Sequence, residues 1–150
     1  MKTVKGFLAA GLIIVNAAAI ATEEATEITV YRSPTCSCCE KWLAHLQQNN
    51  FAIKDIVTND MQAIKTKYGV TPELASCHTA IINGYVIEGH VPAGDIRNLL
   101  KTKPKVTGIA VPGMPAGTPG MEMGAKKEAY DVVSFDSQHR TQVFNRYKDQ

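Results

Sequence analysis

A short β-rich stretch, Ile28-Thr29-Val30-Tyr31, runs through Ser33-Pro34 into three cysteines, Cys36, Cys38 and Cys39, and from there into an amphipathic segment. Ile, Thr, Val and Tyr suit the half-buried pleat of a strand, and Ser-Pro turns its end into a loop. Beyond the loop, Cys39, Trp42, Leu43 and Leu46 fall at i, i+3, i+4 and i+7, which is one face of a helix ending at Asn49-Asn50. This junction places the cysteines between a strand end and the first turn of a helix. Unpaired N–H groups and the helix dipole favour thiolate there, and thiolate is the competent species for disulfide exchange and for metal binding alike. The spacing leaves both chemistries open. Cys36 and Cys39 make the C-x-x-C of a redox dithiol, whereas Cys38 turns it into C-x-C-C, a crowded ligand set.

The rest of the chain alternates strand and helix signals. Ile53 to Val57 reads as a second strand. Thr58-Asn59-Asp60 offers N-caps for a short helix with Met61, Ile64 and Tyr68 on one face, closed by Gly69. Met61 is thereby a core candidate rather than a ligand. Thr79–Ile82 and Tyr85–Glu88 are β-branched runs around Asn83-Gly84, the signal of a type I′ hairpin. Pro92 opens a helix carrying Ile96, Leu99 and Leu100 on one face. This order suggests an α/β fold with a mixed sheet flanked by helices.

From Lys101 the composition shifts. Residues 111–124 read VPGMPAGTPGMEMG, in which Pro112-Gly113-Met114 recurs as Pro119-Gly120-Met121. Pro and Gly at this density exclude a helix or central strand and indicate a loop. Ala129 to Phe135 reads as a further strand, and the polar end from Asp136 as surface.

At the other end, Lys2 and Lys5 precede an apolar run from Phe7 to Ala19, then Ala19-Ile20-Ala21 and the acidic pair Glu23-Glu24. That is the layout of a secretory leader, and the run is short for a bilayer span. We expect residues 1–21 to be a signal peptide and 22–150 one domain, with its core in 27–102 and an extension in 103–150. Removing Lys2 and Lys5 lowers the 16 Lys and Arg to 14, equal to the 14 Asp and Glu. A neutral mature chain offers no case for nucleic acid or an anionic membrane as partner, and no stable membrane insertion after cleavage. In an oxidising compartment four cysteines ordinarily suggest two structural disulfides. Adjacent Cys38 and Cys39 fit that poorly, and a chain of this length builds a core without staples.

The element order, with C-x-x-C opening the first helix, resembles a thioredoxin-like fold. Tyr68-Gly69-Val70 and Asn83-Gly84-Tyr85-Val86 are similar to the segments flanking the third strand of thioredoxins. By that resemblance Ser76 stands where the cis-proline usually does, and Cys77 would face Cys36, Cys38 and Cys39. Three stretches in order, SPTCSCCEKW, SCHTAIINGYVIEGHVPAGDI and GIAVPGMPAGTPGMEM, resemble the CopG-like family of exported, thioredoxin-like copper-binding proteins of Gram-negative bacteria. The resemblance implies copper resistance or homeostasis in the periplasm, copper held by the cysteine motif, and other periplasmic copper-handling proteins as partners.

Donor chemistry agrees on the metal, because clustered thiolates with thioethers are soft and select Cu(I). Candidate ligands are Cys36, Cys38, Cys39 and Cys77, with Met114, Met121 and Met123 as soft additions and His78 and His90 as imidazoles. Four cysteines exceed the need of one low-coordinate Cu(I), which points to a multinuclear thiolate cluster, with Cu(I)/Cu(II) redox activity as an extension. Two rivals stand beside this reading. One is a thiol–disulfide oxidoreductase using Cys36 and Cys39, and the other a structural zinc module, although zinc rarely recruits methionine. His45 and His139 fall on polar surfaces and receive no role, and Trp42 reads as core.

Overall fold

The computed structural model of the protein describes residues 24–149, so the expected signal peptide lies outside the described residues. Within them the order is β1 (Thr26–Arg32), α1 (Ser37–Gln48), β2 (Phe51–Val57), α2 (Met61–Lys67), β3 (His78–Ile82), β4 (Tyr85–Glu88), α3 (Ala93–Thr102), β5 (Gly108–Ala110), β6 (Tyr130–Phe135) and β7 (Thr141–Tyr147). The strands form one sheet in the order β2-β1-β3-β4-β5-β6-β7. The β1–β2 and β4–β5 pairs are parallel, and the remaining neighbours antiparallel. The α/β class and mixed sheet expected from the sequence are therefore what the chain adopts. Among the described residues no helix is long and apolar enough to cross a membrane.

The core follows the periodicities. Ile28 and Val30 of β1 are fully buried, two apart on one face of the pleat. In α1 the buried residues are Cys39, Trp42, Leu43 and Leu46, the expected stripe. Ile96 and Leu99 of α3 close over the same cluster with Ala80, Ile87, Ile109 and Val132 from the sheet. Asn83 and Gly84 both have positive φ, 47° and 83°, as a type I′ turn requires. Pro92 caps α3 from just outside its first turn, and Lys103 ends it in the left-handed region.

Two strands escape the sequence reading. β5 is three residues long, too short for any period to register. β7 lies in the polar end read as surface. It is an edge strand in which only Phe144 and Tyr147 are partly buried, so it shows no apolar face. Its position comes from pairing with β6 and from two side chains that reach α3. Asn145 Nδ2 donates to Asp95 Oδ1 at 2.8 Å and Tyr147 Oη to Asp95 Oδ2 at 2.7 Å, while the Tyr147 ring stacks on Tyr130. The extension thus continues the same sheet.

In α2, Asp60 caps the helix by accepting from the Ala63 N–H at 3.0 Å. Asp60→Ala should cost about 1 kcal/mol, read as a lower urea midpoint at unchanged slope. Met61 is only half-buried, and the residue that goes inside is Lys65, 8% exposed.

Candidate metal centre

The register of the sheet builds the site. β1 and β3 run antiparallel with Arg32 opposite His78, so Cys77, one residue before β3, faces the loop leaving β1. That loop carries Cys36 at the N-cap of α1, with Cys38 and Cys39 in the first turn. Cys38 Sγ lies 3.5 Å from Cys36 Sγ and 3.8 Å from Cys77 Sγ. All four sulfurs lie within 4.8 Å of one another. Cys39 is fully buried and the other three are half-buried. Cys36 and Cys39 are joined as a disulfide, while Cys38 and Cys77 are free. A four-thiolate donor set therefore belongs to the reduced chain. Burial, with the neighbouring Cys38, pushes the Cys77 thiol up to about 12, so without metal it stays protonated at neutral pH.

Two histidines complete the cluster. His78 opens β3 and His90 follows β4, and both are fully buried. His78 Nδ1 lies 3.3 Å and His90 Nε2 3.1 Å from Cys77 Sγ. His90 Nδ1 lies 2.7 Å from the Pro119 carbonyl, which only accepts. Nδ1 therefore carries the proton, and the bare Nε2 lone pair faces Cys77. Burial lowers both imidazoles from their ordinary range, His78 strongly, so both are neutral. His78 Nε2 is buried with no hydrogen-bond partner among the described residues. The His78 ring packs 4.2 Å from Trp42 and 4.9 Å from His90, centroid to centroid. Cys77, His78 and His90 make a second donor group that shares its sulfur with the first. Four sulfurs and two neutral imidazoles fit a soft, thiophilic ion.

The Pro-Gly-Met segment straddles this cluster. At its first repeat Ser76 Oγ donates to the Gly113 carbonyl at 2.5 Å, and Gly113 N–H donates to the Ala75 carbonyl at 3.2 Å. At its second, Pro119 holds His90, and Gly120 packs so closely that a Cβ there would lie 2.9 Å from Trp42 N and 3.0 Å from Cys38 O. One repeat is moored beside Cys77 and the other beside Cys38. Met121 is half-buried, whereas Met114 and Met123 are 51% and 67% exposed. The fold thus gathers the four cysteines and two histidines and leaves two of the three candidate methionines at the surface.

His45 is not a bystander on a polar face. It is half-buried, and its Nε2 accepts from Ala93 N–H at 3.1 Å. Pro92 has no side-chain acceptor for the first turn of α3, so a residue from α1 supplies one. A helix start lacking a local cap was the available signal. His139 lies exposed in the β6–β7 turn.

A family described as "Protein of unknown function, DUF411" matches residues 74–121, the span from the Cys77 loop through the second Pro-Gly-Met repeat. No curated protein matches the chain. Two solved structures do, named "Copper resistance protein copG- Form 1" and "Copper resistance protein copG- Form 2". Each is 44% identical, superposes with a TM-score of 0.79, and is matched over 83% of this chain and 99% of its own.

Proposed function

Because this chain belongs to the family of the copper resistance protein CopG, we propose that it binds Cu(I) in the periplasm, as several ions bridged by Cys36, Cys38, Cys39 and Cys77. The observation that carries this is the convergence of four sulfurs from two distant segments to within 4.8 Å. So tight a set leaves too little room for each sulfur to serve a separate ion, and thiolates bridge readily between Cu(I) ions. His78 and His90 add nitrogen donors on the Cys77 side. The Pro-Gly-Met segment covers the cluster with its backbone, and its exposed methionines Met114 and Met123 offer thioethers to incoming or leaving copper. In this reading residues 1–21 direct export, residues 22–150 form one thioredoxin-like unit with an extended sheet, and the protein stores Cu(I) or passes it to other periplasmic copper-handling proteins.

Loading requires the Cys36–Cys39 disulfide to be reduced and Cys77 to give up its proton, so copper binding should release protons. Elemental analysis of anaerobically reduced protein should find more than one copper per chain and little zinc. One tight copper or fewer would end the multinuclear reading. Redox activity is the finer claim: stopped-flow oxidation of the copper-loaded protein should outpace that of Cu(I) in buffer, and equal rates would remove it.

The Cys36–Cys39 disulfide favours a second reading, thiol–disulfide exchange. It calls for insulin reduction without copper, and it assigns no task to Cys38, Cys77 or the two histidines.

A further inference from the structure

Beneath the Cys77 loop lies a buried charge that metal binding does not itself require. Glu88, the last residue of β4, is fully buried and ion-paired with Lys65, which reaches in from α2. The other hydrogen bonds of its carboxylate go to residues flanking Cys77. Ser76 N–H donates to Glu88 Oε1 at 2.7 Å, and the Thr79 hydroxyl donates to Oε2 at 2.6 Å. Lys65 Nζ also donates to Thr79 Oγ1 at 3.1 Å. Cys77 is thus bracketed, one residue before and two after, by groups held on a single carboxylate. Ser76 is gripped elsewhere as well. Its hydroxyl holds Gly113, and a Cβ on Gly89 would come within 2.6 Å of the Ser76 Cβ. A proline at position 76 would have no N–H to donate, so this grip on Glu88 requires a residue other than proline there.

A buried ion pair seldom stabilises a fold more than a well-packed apolar pair of similar size. What distinguishes this one is where its bonds end. We propose that Glu88, with Lys65 as its counter-charge, is a positioning residue that holds Ser76 and Thr79 so that Cys77 Sγ points into the cluster, and that through Ser76 it also sets the first mooring of the Pro-Gly-Met segment. This rests on the copper reading, since it gives Cys77 a metal to hold. Supporting groups of this kind typically carry 10–100-fold in metal affinity.

The test uses Lys65→Met/Glu88→Leu, which removes both charges and every acceptor at once without leaving an unpaired ion inside. In reduced protein titrated with Cu(I) against a chromophoric Cu(I) chelator, affinity should fall by about 10–100-fold. X-ray absorption should count fewer sulfur neighbours per copper. In a Cys77→Ser background the same pair of changes should have no further effect on copper, the signature of action through Cys77. A purely structural role would shift Tm and leave these readouts alone. Lys65→Met/Glu88→Gln, which keeps one acceptor oxygen and leaves no unpaired ion, should weaken copper about 10-fold, the lower end of that range, and serves if the first double variant fails to fold. Wild-type copper affinity in a folded variant would overturn the proposal. If the wild-type protein binds no copper, the copper reading fails separately. The positioning claim is then read in metal-free reduced protein, where Cys77 alkylation should be at least about 10-fold faster in the variant, and an equal rate would overturn it.

Discussion

Cys38→Ser should remove most of the bound copper, leaving at most one ion per chain, and should weaken that ion well beyond the roughly 10–100-fold carried by a group that merely supports a ligand. The reason is position. Cys38 Sγ lies within 3.5 Å of Cys36 and 3.8 Å of Cys77, so it joins the α1 cysteines to the one before β3. Without it the shortest sulfur link between the α1 cysteines and Cys77 is lost, and the three remaining thiolates are too few to bridge several ions. Serine is nearly isosteric, and Cys38 is only half-buried, so the fold should persist with an unchanged Tm. A disulfide-exchange protein would behave in the opposite way, since Cys36 and Cys39 suffice for it. Copper stoichiometry by elemental analysis, alongside the Cys36–Cys39 redox potential, separates the two. Wild-type copper in the Cys38→Ser protein would sink the cluster.

The residues that make this prediction possible were legible to different degrees. The strand, the cysteine loop and the apolar stripe of α1 are local patterns, and they predicted where Cys36, Cys38 and Cys39 sit. Cys77 is 39 residues beyond Cys38, and only resemblance to a known fold brings it near. Its physical placement depends on Arg32 standing opposite His78, a register no local pattern encodes. Glu88 illustrates the harder case. Within VIEGH it reads as the polar end of a strand, and nothing nearby tells that Lys65 will come inside to meet it. Lys65 sits beside Ile64 in a seven-residue helix too short to define a face, and the charged residue, not Met61, proved to be the buried one. β7 was missed for a related reason: an edge strand with two wet faces has no alternation to detect. The methionines show the limit of composition. Soft donors beside a soft site suggest ligands, and what composition does not show is that the same loop is moored beside the cluster through Gly113, Pro119 and Gly120.

That backbone contact yields the other large effect. Gly120→Ala should detach the second Pro-Gly-Met repeat from the cluster and speed copper loss to a chelator by an order of magnitude or more. Gly120 has a φ of 87°, where a side chain costs roughly 1–2 kcal/mol. Its Cβ would also press on Trp42 N, Cys38 O and His90 Nδ1 at 2.9, 3.0 and 3.1 Å, two of them main-chain atoms in or beside α1 that cannot swing away. Overpacking of this kind adds about 1–3 kcal/mol. Against a total of about 2–5 kcal/mol, the bond holding this end of the segment, His90 Nδ1–H to Pro119 O, contributes only about 1 kcal/mol. The cheaper response is therefore for the loop to lift while the sheet and helices stay folded. Lifting it frees His90 Nδ1, so the Nε2 lone pair is no longer held toward Cys77, and it opens the sulfurs to water and oxygen. Tm should fall little, while chelator access and air oxidation of bound copper should both accelerate. Gly113→Ala is the natural control: its φ is also positive, at 69°, but a Cβ there meets nothing within 4 Å. It should show the conformational cost without the collision, and a much smaller change in copper release. If Gly120→Ala released copper no faster than Gly113→Ala, the close seating of the second repeat would have no part in retaining the metal.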